Sequence, residues 1–306
     1  MPGLFPGKKQ FYITIVKKDK VSEMSFQQYR PTGFRLLPPV VKNLLIINGL
    51  MFLATLALKN AFGIDLADYL GLHYFAASKF SPYQFITYMF MHGGVSHVFF
   101  NMFALWMFGY VLENVWGPKR FLIYYMVTGI GAAVIHYIIF YFEFNPLIQA
   151  LDGIINDPTY GNMRAMQNSL AASLSPYSGE IYLQFREFSG NLARLHANPD
   201  NTALIEAAKG FVIDYKAYIL NKPNVIGASG AVFGILLAFG MLFPNTLLYI
   251  YFMFPIKAKW FVIFYGLVEL YLGFTNSDSN VAHFAHLGGM IFGFFLIKYW
   301  KRKGVY

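Results

Sequence analysis

The chain has 306 residues, of which 57% are hydrophobic and 13% charged, with a formal net charge of +9. That balance excludes a soluble domain of this length, which needs a polar surface, and makes the bilayer the expected solvent. The absence of cysteine excludes disulfides in outward loops and a thiol nucleophile.

Residues 1–39 are basic and mixed rather than a short apolar run with small-residue cleavage chemistry, so no cleavable signal is expected and the first helix directs insertion. Membrane-crossing helices need about 20 mostly apolar residues. Six segments approach that length: Val40–Ala61, Ser96–Val115, Arg120–Phe144, Gly227–Phe243, Ala258–Leu272 and Val281–Tyr299. The fourth and fifth are short.

The second segment opens with Met91-His92-Gly93-Gly94-Val95-Ser96-His97 and continues to Asn101. His97 and Asn101 are four apart, so both project from one face at the outer end of that helix. Both can donate hydrogen bonds. Taken alone, the pair reads as polar contact between helices; beside the two features below, it reads as fixed donors for an oxyanion in a water-poor site.

Between the third and fourth segments lies the longest non-membrane stretch, residues 145–224, whose charges nearly cancel as expected of a translocated insert. Asn201-Thr202 before Ala203-Leu204-Ile205-Glu206 reads as an N-capped helix start, continued by Leu204, Ala208, Phe211, Val212 and Tyr215 on one face. A small helical subdomain without a catalytic part is expected there.

The fourth segment opens with Gly227-Ala228-Ser229-Gly230. The glycines leave the backbone bare, and a helix start presents unpaired N–H groups to a developing oxyanion. Gly230 and Gly234 also form a small-xxx-small pair, which by itself serves close helix packing. The sixth segment carries Ala285-His286-Leu287-Gly288-Gly289-Met290-Ile291-Phe292-Gly293. Gly289 and Gly293 share a helical face with His286, so that helix can approach the fourth and bring the imidazole to Ser229. His283 lacks the matching glycine stripe and is expected to be a structural or loop histidine. A lipid-facing helix gains nothing from a glycine-flanked serine or an imidazole, so the pair points to a nucleophile and its base.

Lys and Arg gather before the first segment, at Lys119 and Arg120, at Lys257 and Lys259, and at Lys298, Lys301, Arg302 and Lys303. All fall on one side of a six-helix arrangement, which puts both termini in the cytoplasm. The positive charge is therefore topology and attraction to membrane lipids, not nucleic-acid binding. The expected fold is an all-α polytopic membrane protein: a cytoplasmic tail over 1–39, core helices one to three over 40–144, the extramembrane insert 145–224, core helices four to six over 225–300, and a tail over 301–306. The expected place is a bacterial inner (plasma) membrane.

His97-Val-Phe-Phe-Asn101, Gly227-Ala-Ser229-Gly230 and Ala285-His286-Leu-Gly-Gly289-Met-Ile-Phe-Gly293, in that order, resemble the rhomboid family of intramembrane serine proteases. Gly109-Tyr-Val-Leu-Glu113-Asn-Val-Trp-Gly117 resembles its glycine and glutamate pattern, so the likeness covers about residues 40–144 and 225–300. The resemblance implies a six-helix core, a Ser–His dyad without a third acidic member, and cleavage of a substrate's transmembrane segment near its outer end. It implies Ser229 as nucleophile, His286 as general base, and His97 and Asn101 as the side-chain part of the oxyanion hole. Phe62–Phe90 would be a loop partly embedded beside the core, and Gly273–Asn280 a cap over the dyad. Two positions depart from the pattern. Tyr83-Gln84 stands where the family often has Trp-Arg, which puts that loop's anchoring in doubt, and Phe233 stands where a tyrosine often packs on the histidine.

Two alternatives stay open. One is a catalytically inactive rhomboid-like protein that binds membrane helices. The other is a metal-dependent membrane enzyme using His92, His97, His283 and His286, against which stand the lack of H-E-x-x-H and of a carboxylate near these histidines. No cofactor or metal is expected; the expected partners are transmembrane protein substrates and lipids, with oligomeric state unspecified.

Overall fold

The computed structural model describes residues 33–221, 224–250, 253–275 and 280–304, which are mostly helical. The basic residues from Lys8 to Arg30 lie outside the described residues. Helix α1 (Pro39–Phe62) begins on proline, whose missing N–H costs nothing in a first turn. The next two donors, the N–H groups of Val40 and Val41, bond the Glu113 carboxylate at 2.9 and 2.8 Å. A distant acid thus caps the helix where local sequence does not. Gly63 ends it at φ 68°, a left-handed conformation suited to glycine.

The loop that follows contains α2 (Ala67–Leu70), β1 (Leu72–His73) and α3 (Gln84–Thr87). Gln84, fully buried, organises it. Its amide donates to the carbonyls of Tyr69 (3.1 Å) and Lys79 (2.9 Å), and its oxygen accepts from the N–H groups of His73 and Ser81, both at 3.2 Å. The anchoring that the Tyr83-Gln84 departure put in doubt is therefore present, through an amide.

Helix α4 (Val95–Trp116) passes through Gly117 directly into α5 (Pro118–Asn156), which has 39 residues. At 1.5 Å per residue, α5 is about 58 Å long, well beyond a hydrocarbon core of about 30 Å. The expected third segment stopped at Phe144, but the helix continues through Pro146. Packing holds the extension. Leu151, on the far part of α5, is buried with residues of α6 (Tyr160–Ala171), α7 (Glu180–Ala197) and α8 (Thr202–Asn221) in an apolar cluster of their own. Within it Phe188 stacks on Phe211 at 4.5 Å between ring centroids. Asn201 accepts from the Leu204 N–H at 3.1 Å, at the helix start expected there.

Strand β2 (Asn224–Val225) pairs antiparallel with β1, with Leu72 opposite Val225, which ties the loop after α1 to the chain just before Ser229. Then come α9 (Ser229–Leu242), the antiparallel pair β3 (Leu247–Ile250) and β4 (Phe254–Lys257), α10 (Ala258–Thr275) and α11 (Asn280–Arg302). The two short strand pairs are a departure from the all-α expectation. They occur where the connecting backbone satisfies its polar groups between elements rather than along a helix.

Among the described residues, four helices are long and apolar enough to cross a membrane: α1, α4, α5 and α10. Helix α9 is apolar but shorter, and most of it is buried; it packs against α4, α5, α10 and α11. Small residues permit this. A Cβ on Gly234 would come 2.6 Å from the Thr128 side chain of α5, and the Tyr124 hydroxyl donates to the Gly234 carbonyl at 2.8 Å.

Candidate active site

Ser229 occupies the first position of α9, following Ala228. Its approach is set by Gly227, at φ 125°, whose N–H bonds the Tyr88 carbonyl at 2.9 Å. A side chain there would be strained in backbone and would lie 2.8 Å from His97 Nε2, so glycine allows the turn and the close imidazole together. The N–H groups of the first α9 turn have no partner within the helix.

His286 comes from α11. Its Nε2 lies 2.8 Å from Ser229 Oγ, and its ring lies flat on Phe233 from α9, with centroids 4.3 Å apart and planes 4° apart. The aromatic face is thus retained without the hydroxyl of a tyrosine. The glycine stripe on α11 works in two directions. A side chain at Gly289 would overlap the Gly230 carbonyl of α9, whereas one at Gly293 would strike Tyr124 and Thr128 of α5. The expectation that both glycines face the fourth segment is corrected for Gly293, because α9 and α5 flank α11 side by side.

His97 and Asn101 lie on α4, facing the same cavity of about 510 Å³ as Ser229, Phe233 and His286. The Gly93 N–H donates to His97 Nδ1 at 3.4 Å, which leaves the ring proton on Nε2, toward Gly227. Asn101 is buried and donates to its own helix at the His97 carbonyl, at 3.0 Å. Apart from Ser96 and Tyr265, the remaining lining, including Phe100, Phe103, Phe261 and Leu236, is apolar.

One group was missed by sequence reasoning. Glu269, buried on α10, places Oε2 at 2.9 Å from His286 Nδ1 and 2.7 Å from His283 Nδ1. This corrects two expectations: that the dyad has no acidic neighbour, and that no carboxylate lies near these histidines. Sequence distance hid it, since Glu269 is 17 residues from His286, yet the signal was present as an acid within the fifth apolar segment. The four histidines do not form one cluster. His92 packs edge-on against His97 at 5.0 Å, while His283, His286 and Glu269 bring their ligand atoms within 4.8 Å of one another. Of the expected cap, residues 273–275 end α10, Asn280 begins α11, and residues 276–279 lie outside the described residues.

The rhomboid domain profile matches residues 79–145 and 188–303, together more than half of the chain. An uncharacterised mitochondrial rhomboid protein of Schizosaccharomyces pombe is 36% identical over 27% of this chain and 23% of its own length. Rhomboid-like protein 15 of Arabidopsis thaliana is 35% identical over 28% of this chain and 21% of its own. The rhomboid protease GluP of Bacillus subtilis is 32% identical over 18% of this chain and 11% of its own. Each match thus spans under a quarter of the relative's length, and no solved structure matches the chain. The profile takes in α4, α9, α10 and α11, the helices that carry His97, Ser229, Glu269 and His286, and its match over more than half of the chain places the chain in the rhomboid family.

Proposed function

We propose that this protein is an intramembrane serine endopeptidase that cuts transmembrane segments of membrane proteins. The observation that carries the reading is the 2.8 Å contact between Ser229 Oγ and His286 Nε2 at the start of a 14-residue helix. Such a helix is about 21 Å long, shorter than the hydrocarbon core, so its first residue sits below the membrane surface when its other end reaches the opposite side. In this reading α9 and α11 join α1, α4, α5 and α10 in a six-helix core, and residues 145–224 form an extramembrane insert. Lys119, Arg120, Lys257 and Lys259 then lie on the cytoplasmic side with both termini.

In the reaction, Ser229 Oγ attacks a peptide carbonyl carbon while His286 Nε2 takes its proton. The oxyanion is held by His97, Asn101 and the N–H groups that open α9. His286 then delivers the proton to the leaving nitrogen as the C–N bond breaks. Water, deprotonated by the same ring, hydrolyses the acyl-enzyme and frees Ser229. The apolar cavity beside the pair, between α4, α9 and α10, suits an apolar substrate segment.

The test is cleavage of a single-span model substrate by purified protein in detergent, alongside labelling by a serine-reactive fluorophosphonate. Cleavage and labelling are expected, and both are abolished by Ser229→Ala in a protein that stays folded. Absence of both in the wild-type protein, with retained binding of the substrate helix, would assign the chain to the inactive helix-binding members instead.

A further inference from the structure

We propose that Glu269 is a positioning residue for His286, so that the unit acting on Ser229 has three members, Ser229, His286 and Glu269, with His283 as a second ring on the same carboxylate. The inference deepens the protease reading and rests on it.

An acid on a membrane helix is costly unless partners offset its desolvation, and Glu269 faces the interior with a side chain only 7% exposed. Both of its imidazole contacts fall on one oxygen, Oε2. A protonated carboxyl has one hydrogen and can donate it to one ring only. An ionised oxygen accepts from both. The shared oxygen fits an ionised carboxylate, which puts a hydrogen on Nδ1 of His283 and of His286, three apart on one face of α11.

For neutral His286 that choice decides the chemistry. With hydrogen on Nδ1, the lone pair is on Nε2, directed at Ser229 Oγ, as a general base requires. The other tautomer would present N–H to the serine oxygen and could not accept its proton. When His286 takes that proton it becomes an imidazolium, and Glu269 stands 2.9 Å from it as counter-charge. Among the described residues, Tyr88, His97 on α4 and Tyr265 on α10 also line the cavities beside His286, and none of them bonds its Nδ1. Phe233 holds the face of the ring and Glu269 its edge, so orientation in the plane falls to the carboxylate.

Carboxylates in this role are worth up to about 10⁴ in kcat in soluble serine hydrolases, through tautomer and orientation. The experiment uses the full chain in proteoliposomes, with ¹⁵N-histidine labelling to read the ring tautomers and single-span substrate to read kinetics. Expected are an Nδ1–H tautomer for His286 in the wild-type protein, a shift toward Nε2–H in Glu269→Gln, and kcat lowered roughly 10–10³-fold with little change in KM. Glu269→Asp, which keeps the charge, is expected to recover part of kcat and of the Nδ1–H signal. A purely structural role would lower thermal stability without moving the tautomer. An Nε2–H tautomer in the wild-type protein overturns the inference even if no Glu269 variant folds, as does full kcat in a folded Glu269→Gln. Loss of cleavage in chelator with rescue by Zn²⁺ would overturn it too, giving Glu269, His283 and His286 to a metal. If the wild-type protein neither cleaves nor labels with fluorophosphonate while the tautomer still follows Glu269, the protease reading falls and the Glu269–His286 pairing stands.

Discussion

Gly289 of α11 lies directly on the carbonyl of Gly230 of α9, backbone against backbone. Gly230 follows Ser229, and Gly289 stands almost one turn beyond His286, so this contact sets how closely Ser229 and His286 approach. Gly289→Val forces α11 away, since backbone cannot yield as the end of a side chain can. A displacement of about 1 Å costs about 10²-fold in rate. Activity and thermal stability are expected to fall together. A Gly289→Val protein that is inactive but melts like the wild type would show that this position acts on substrate directly.

Asn101→Ala removes a donor facing the cavity where the proposed reaction develops negative charge. The expected result is a fall in kcat of roughly 10–10³-fold with a much smaller change in KM, as for an interaction made mainly in the transition state. His97→Ala is expected to act in the same direction, and labelling by a small phosphonate should slow in both. Steady-state kinetics and labelling rates decide the matter. Unchanged rates with lowered stability would reduce the pair to polar contact between helices.

Phe233 covers the His286 ring face at 4.3 Å. Phe233→Ala removes both the stacking surface and buried volume, which costs about 3–5 kcal/mol in a packed core. Its melting temperature is expected to drop and its kcat to fall as the imidazole gains freedom. Phe233→Tyr keeps the ring and should retain most activity. The comparison of Tm with kcat for the two variants is the check, and equal kcat in both would deny the ring its orienting role.

Glu113 serves as a control for stability without chemistry. It bonds the N–H groups of Val40 and Val41 across helices, far in the chain from Ser229. Glu113→Ala leaves two donors at the start of α1 unpaired, at about 1–3 kcal/mol for each that stays buried. Thermal unfolding should occur at lower temperature, while activity per folded molecule, titrated with fluorophosphonate, stays near that of the wild type. A selective loss of kcat in fully folded protein would contradict the assignment.

Much of this molecule was legible in its sequence because the bilayer imposes simple rules. Apolar length alone marked the helices α1 and α4 to within a few residues, and glycine spacing marked where helices meet. Ser229, His286, His97 and Asn101 stood out because polar residues and bare glycines in apolar runs need a reason. What the sequence by itself did not determine were relations between residues distant in the chain. The length of α5 was hidden because its continuation past Pro146 depends on Leu151 finding partners on α6 to α8. Gly293 faces α5 rather than α9, a matter of which neighbour lies on which side of α11. Gln84 replaces a charged anchor through four hydrogen bonds to backbone groups that only the folded loop brings together. Glu269 is the plainest case. Spacing along one helix predicts what shares its face, because 3.6 residues make a turn. Nothing in that period says which face of α10 meets α11, and only the packed bundle decides that its carboxylate reaches the far nitrogen of His286.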